Sequence, residues 1–292
     1  MKENYDLFGN KIISNPLLRE KYGEIPVSIL DTCSSTWIKR KRDWLKLGIE
    51  SEVSRNNTLG FSKLCNSVQG GKESHKNVSV FDATLTELMY RWFAPKNCNI
   101  IDPFAGGSVR GIIANYLGYK YTGIELREEQ VNSNVQQSLK ILPIKNQPKW
   151  YIGDSEYILK NKIDITFDFL FTCPPYMDLE VYSDDKNDLS TLKDIDFISK
   201  YESIIFNSCK LLKKGAYACI VVGDVRDKKT GYYKDFITIT KLAFYKCGMK
   251  LYNEMILKNN IGSACVRVSR IFDSNKKIVK CHQNVLIFIK PN

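Results

Sequence analysis

From about Val80 onward, helical segments alternate with short runs that are apolar at nearly every position, such as "FDFLFT", "YACIVVG" and "NVLIFIK". A strand with no polar alternate face has to be covered on both sides, and parallel strands need crossover connections that supply the covering helices. "CNIID" and "YKYTGIE" read as strands flanking the helix "SVRGIIANYLG", which closes on Gly118. "PKWYIGD", "FDFLFT", "AYACIVVG", "KLYNEMILK" and "NVLIFIK" bring the strands to seven. The last two show no obvious helix between them and are expected to pair antiparallel at an edge. Ahead of the first strand, "FDATLTELMYRWFA" spaces Leu85, Leu88, Met89, Trp92 and Phe93 as one helical face, and Pro95 ends it. The expected fold is a doubly wound, mostly parallel, seven-stranded α/β sheet.

Residues 1–75 are polar and basic, with "TWIKRKRDWLKLGIESEVSR" as their helix-like part and "NSVQGGKESHKNVS" as a link, so the chain divides into an N-terminal extension (1–75) and a main domain (76–292). "MKENYDLFGNK" is no apolar leader and no apolar run is long enough to span a bilayer, so a soluble, cytoplasmic protein without membrane contact is expected. Nine scattered cysteines without a CxxC pair, and only His75 and His282, argue against a disulfide framework or a metal site. The net charge of +11 favours a polyanionic partner, nucleic acid before membrane.

"IIDPFAGGSVRG" ends a strand at Asp102 and turns through Phe104, Gly106 and Gly107 into a helix, where bare backbone at the helix start can accept a ligand. Nineteen residues after Gly106, Glu125 ends the next strand, where an acidic side chain in a nucleoside-binding βαβ unit meets ribose hydroxyls. GxGxxG is absent, which disfavours a nicotinamide dinucleotide. After the third strand, Asp154 can accept a hydrogen bond from an adenine amino group.

In this order "DPFAGGS", "GIEL", "GDS" and "TCPPY" resemble the motifs of the class I S-adenosylmethionine-dependent DNA amino-methyltransferases, which methylate cytosine N4 or adenine N6. "VSILDTCSSTWIKRKRDWLKLGIESE", "VYSDDKNDLSTL", "VVGDVRDKKTGYY" and "CHQNVLIFIK" are similar to segments of small phage or prophage modification methylases. The resemblance runs from about Pro26 to Lys290. It implies a class I methyltransferase Rossmann-like fold, S-adenosylmethionine as cofactor and DNA as substrate. Asp102, Phe104, Gly106, Gly107, Glu125 and Asp154 would serve the cofactor, as would Phe81, Asp82 and Thr84, which resemble the segment closing over its methionine end.

The resemblance also implies catalytic roles for Thr172, Cys173, Pro174, Pro175 and Tyr176. An exocyclic amino nitrogen is a weak nucleophile because its lone pair is delocalised into the ring. Carbonyls fixed by two prolines can accept its protons and turn the lone pair outward, while Tyr176 offers a face on which a flipped base stacks. Cys173 as a nucleophile is disfavoured, since no base stands beside it in the sequence. The family usually carries Asp, Asn or Ser there. Cys is near-isosteric with Ser, which leans the reading toward cytosine N4 and leaves adenine N6 open.

Thr172 follows Ser155 by only 17 residues, so no recognition domain fits between the motifs. DNA contacts are expected instead from Lys39, Arg40, Lys41 and Arg42, which lie with Lys46 around Trp37 and Trp44, and from Lys228 and Lys229. Tyr182, with Ser183 and Asp184, would frame the flipped base; Lys234, Arg267 and Arg270 are secondary candidates. The alternatives are an RNA or protein amide methyltransferase on the same fold, or a nucleic-acid-binding module without catalysis.

Overall fold

The computed structural model describes residues 18–49, 81–177, 189–227, 229–261 and 264–292. All seven expected strands form: β2 (Asn99–Asp102), β3 (Lys120–Glu125), β4 (Lys149–Ile152), β5 (Phe167–Thr172), β6 (Leu212–Val222), β7 (Lys250–Lys258) and β8 (His282–Ile289). An eighth, β1 (Ile29–Asp31), comes from the N-terminal region. The sheet order is β1-β7-β8-β6-β5-β2-β3-β4. β8 runs antiparallel to both β6 and β7, and the other pairs are parallel.

The expected antiparallel pairing of the last two strands forms, but β1 adds beyond β7, so neither is the outermost strand. A helix, Ala264–Asn275, also lies between β7 and β8, where "ACVRVSRIFDSN" hides it among serines and β-branched valines of modest helix propensity.

Side chains of one strand alternate between two cores. Phe169 and Phe171 of β5 and Cys219 and Val221 of β6 enter the first, with α2 (Ser35–Leu45), α3 (Ala83–Phe93) and α4 (Val109–Tyr116). Leu170, Ala218, Ile220 and Val222 enter the second, with α6 (Ser155–Asn161), α7 (Asp194–Lys210) and α8 (Phe236–Lys246). Each fully buried Phe or Leu contributes about 1.5–3 kcal/mol relative to exposure, which is why such runs are legible as covered strands. Further helices are α1 (Leu18–Tyr22), α5 (Glu128–Ile141) and, before β8, α9 (Ala264–Asn275).

The expected boundary at residues 75 and 76 lies outside the described residues. Residues 18–49 are joined to the main sheet: β1 pairs with β7, and Trp37 and Trp44 are buried in the first core. From β2 the chain steps outward through β3 and β4, then returns to β5 on the other side of β2. Such a reversal opens a crevice beyond the carboxyl ends of the strands. Asp102, Glu125 and Thr172 end the strands that border it.

Candidate active site

Asp102 is the hub of the crevice floor and is completely buried. Its Oδ1 accepts from the Thr172 hydroxyl at 2.6 Å and the Phe104 N–H at 3.2 Å. Its Oδ2 accepts from Arg110 Nε at 2.6 Å and the Tyr121 hydroxyl at 2.7 Å. Four donors fill the four acceptor sites of a carboxylate, so Asp102 braces the glycine turn. The same bond uses the Thr172 hydroxyl, which is equally buried.

Arg110 completes the hub. Its Nη2 donates to the Phe104 and Ala105 carbonyls at 2.7 and 3.0 Å, and its guanidinium lies 4.4 Å from the centre of the Phe81 ring. Burial would lower its pKa, but the Asp102 charge overrides that and raises it. Burial and then the Asp102 charge push the Tyr121 hydroxyl well above the usual tyrosine range, which keeps it a donor. An arginine in the first turn of an otherwise apolar helix was the available sequence signal for this network.

Gly106 sits in the left-handed region (φ 51°), where a side chain is strained. Its N–H donates to Glu125 Oε2 at 3.1 Å, and its carbonyl accepts from Asn134 Nδ2 at 2.8 Å. Glu125, half-buried at the end of β3, also accepts from the Arg127 N–H at 3.0 Å. Ser108 spends its hydroxyl on Gln137 at 2.9 Å instead of capping α4. Asp154 caps α6 through the Glu156 N–H at 2.9 Å and faces Lys200 at 3.0 Å, a pairing with no motif to announce it. Ser155 donates to the Pro103 carbonyl at 2.6 Å, tying this strand end to the glycine turn, and Phe104 stacks on Tyr201.

Two of the remaining cofactor candidates are used in packing. Asp82 caps α3 through the Leu85 N–H at 3.0 Å and pairs with Lys41 at 3.1 Å and Trp37 Nε1 at 3.2 Å. Thr84 is buried and donates to the Trp37 carbonyl at 3.4 Å.

Beyond β5, Pro174 is buried while Cys173, Pro175 and Tyr176 are half-buried. Cys173 Sγ lies 3.5 Å from the Tyr176 hydroxyl, which also accepts from Gln283 Nε2 at 2.6 Å. The Tyr176 ring packs so closely on Gly223 that an added Cβ would stand 3.2 Å from it. Gln283 comes from the start of β8 and Gly223 from just after β6; the segments that hold them were noted for their resemblance, but nothing local gave the two residues this role.

The basic stretch divides. Arg40 donates to both oxygens of Glu87 at 2.7 and 3.0 Å and to the Gly23 carbonyl at 2.9 Å, which turns it inward. Lys41 likewise pairs with Asp82. Lys39 and Arg42 are exposed. Lys229 is exposed at the turn after β6. Tyr182, Ser183, Asp184 and Lys228, and the side chains of Arg267 and Arg270, lie outside the described residues. Among the described residues no group of His, Cys, Asp or Glu could hold a metal ion, and no helix is long and apolar enough to cross a membrane.

No protein-family model matches the chain, and no curated protein does. Solved structures do. The Pyrococcus horikoshii protein PH1948, provisionally named an RNA methyltransferase, is 14% identical over 87% of this chain and 100% of its own, with a TM-score of 0.50. TrmN from Thermus thermophilus is 10% identical over 72% of this chain and 49% of its own, so the chain spans about half its length, with a TM-score of 0.47. TTHA0409 from Thermus thermophilus, provisionally named a DNA modification methylase, is 18% identical over 48% of this chain and 51% of its own, with a TM-score of 0.36.

Proposed function

We propose that the chain, which has the Rossmann-like fold of class I methyltransferases, is an S-adenosylmethionine-dependent DNA methyltransferase acting on the exocyclic amino nitrogen of a base turned out of the duplex. The observation that supports this reading most directly is the 2.6 Å bond from Thr172 to Asp102, which ties the Pro-Pro-Tyr turn to the glycine turn on an adjacent strand. Two turns held by one buried carboxylate keep a donor site and an acceptor site in fixed relation, which is what a transfer reaction governed by positioning requires.

The residues fit the cofactor. Glu125 suits ribose hydroxyls, Asp154 an adenine amino group, and the left-handed Gly106 leaves room for a ligand against backbone. Bound there, S-adenosylmethionine would supply an electrophilic methyl group. The protein's own part is to hold the base. Tyr176, fixed through its hydroxyl by Gln283 and through its ring by Gly223, provides the stacking face. Carbonyls of the Cys173-Pro174-Pro175 turn accept the amino protons, and no covalent intermediate with Cys173 is required. The serine-like size of Cys173 favours cytosine N4.

The test is to incubate the protein with S-adenosylmethionine and unmethylated DNA, or RNA in parallel, and identify methylated nucleosides by mass spectrometry. N4-methylcytosine in DNA is expected. N6-methyladenine would correct the base, and methylation confined to RNA would overturn the substrate. In the same assay Tyr176→Ala should lower turnover about ten- to a hundredfold, the scale of one lost base–aromatic stack. Glu125→Ala should weaken cofactor binding instead; the opposite pattern would mean the two sites are interchanged.

A further inference from the structure

After β6 the chain makes a short antiparallel finger whose stems meet at Arg226 and Tyr233. Its turn is fixed from within. Asp227, the finger's one acidic residue, accepts from the Lys229 and Thr230 N–H groups at 3.0 and 2.6 Å and from the Thr230 hydroxyl at 2.8 Å. The Asp227 N–H donates to the Tyr232 carbonyl, and the Gly231 N–H to the Asp227 carbonyl, each at 2.9 Å. Gly231 is left-handed (φ 76°), and the end of Lys277 lies against it where a Cβ would stand. The Arg226 guanidinium sits 3.9 Å from the centre of the Tyr233 ring and donates to the Gly231 carbonyl at 2.9 Å.

The two tyrosines therefore differ. Tyr233 is clamped by Arg226, whereas Tyr232 is 76% exposed on a turn that is already ordered. Exposing an aromatic ring on a rigid turn gains nothing for folding, but it removes the ordering cost of any contact the ring makes. The finger's acidic charge is turned into its own backbone, Lys229 is exposed in the same turn, and the end of Lys277 lies against Gly231, next to Tyr232 in the chain. It also adjoins the candidate site. Gly223, three residues before Arg226, packs on the Tyr176 ring, and Gln283, six residues after Lys277, holds the Tyr176 hydroxyl.

We propose that Arg226, Asp227 and residues 229–233 form a duplex-contacting element, in which Tyr232 stacks on the bases next to the one taken out and Lys229 and Lys277 meet the phosphates. This rests on the reading of the site as a DNA base methyltransferase. Extruding a base leaves an unstacked step, and an aromatic side chain inserted there offsets part of the unstacking cost. A lysine pair near the ring fixes register without reading sequence.

The experiment is fluorescence anisotropy of a short labelled DNA duplex with the full chain, its Tyr232→Ala, Tyr232→Phe and Lys277→Ala variants, and no cofactor. Thermal unfolding of each variant serves as the folding control. Tyr232→Ala should bind about tenfold more weakly, Tyr232→Phe within about twofold of the parent, both on the scale of one stacking contact. Lys277→Ala should reduce the salt dependence by about one counterion. If the parent binds DNA and methylates it but Tyr232→Ala binds equally well, the finger proposal falls and the function stands. If Tyr232→Ala weakens binding but no substrate is methylated, the finger stands as a duplex contact, while its place beside an extruded base falls with the function. A parent chain that binds no duplex overturns both.

Discussion

The chain holds two basic stretches interleaved with aromatic rings, and the structure uses them in opposite ways. In α2, Trp37 and Trp44 are buried and donate their indole N–H groups to Asp82 and Glu87, at 3.2 and 2.7 Å. Arg40 and Lys41 follow them inward to the same two carboxylates of α3. In the finger after β6, the acidic partner is a turn residue that satisfies its own backbone, and a tyrosine is left outside. Sequence composition is the same in kind. What turns α2 inward is that the carboxylates of Asp82 and Glu87 lie within its reach, and that is a fact of tertiary structure.

The comparison can be broken most decisively at Glu87. Glu87→Ala removes the partner of Arg40, Arg91 and the Trp44 N–H at once, leaving buried donors unsatisfied. It should cost about 3–5 kcal/mol in urea unfolding, as expected for half of a buried ion pair. A loss below about 1 kcal/mol would mean that α2 is held by its tryptophans alone.

The same contact can be sharpened with pH. Burial works to raise the Glu87 pKa, but the hydrogen bonds from Arg40 and Trp44 outweigh it and hold the carboxyl below its ordinary value of 4.5. A depressed carboxylate contributes stability above its unfolded-state pKa and loses it as pH falls through the folded value. The stability gap between the parent chain and Arg40→Ala should therefore be constant near neutrality and narrow below about pH 4.5. A gap that stays level through that range would assign the Arg40 contribution to packing rather than charge.

The smallest effect is expected on the outer face of α2. Lys39 pairs with Asp43 in an exposed i,i+4 contact, and Arg42 is exposed. Replacing both with alanine should change stability by less than about 0.5 kcal/mol. In the anisotropy assay it should weaken duplex binding less than Tyr232→Ala does. A larger loss would move the principal DNA surface back to the N-terminal region.

The strands were readable because continuous apolar runs have few explanations, and the turn motifs were readable because glycines and prolines act locally. The Gly106 turn and the seven strands all depend on neighbours in sequence. β1 escaped because "ILD" is too short to carry a pattern, and α9 because its residues have no strong helix preference. The partners of Asp102 and Tyr176 were hidden for a different reason. Thr172 lies 70 residues from Asp102 and Gln283 lies 107 from Tyr176, and no spacing rule reaches that far. The motif residues were visible, but which of them face a ligand and which brace the others was not.

β1 carries a consequence for how the chain matures. Leu30 registers with Leu257, so a strand made early in synthesis has its partner made more than two hundred residues later. Contacts so distant along the chain close slowly, after the loop entropy between them has been overcome. Until then β7 presents an open backbone edge to any neighbouring polypeptide. Three residues at the margin of the sheet thus decide when that edge stops being a template for aggregation.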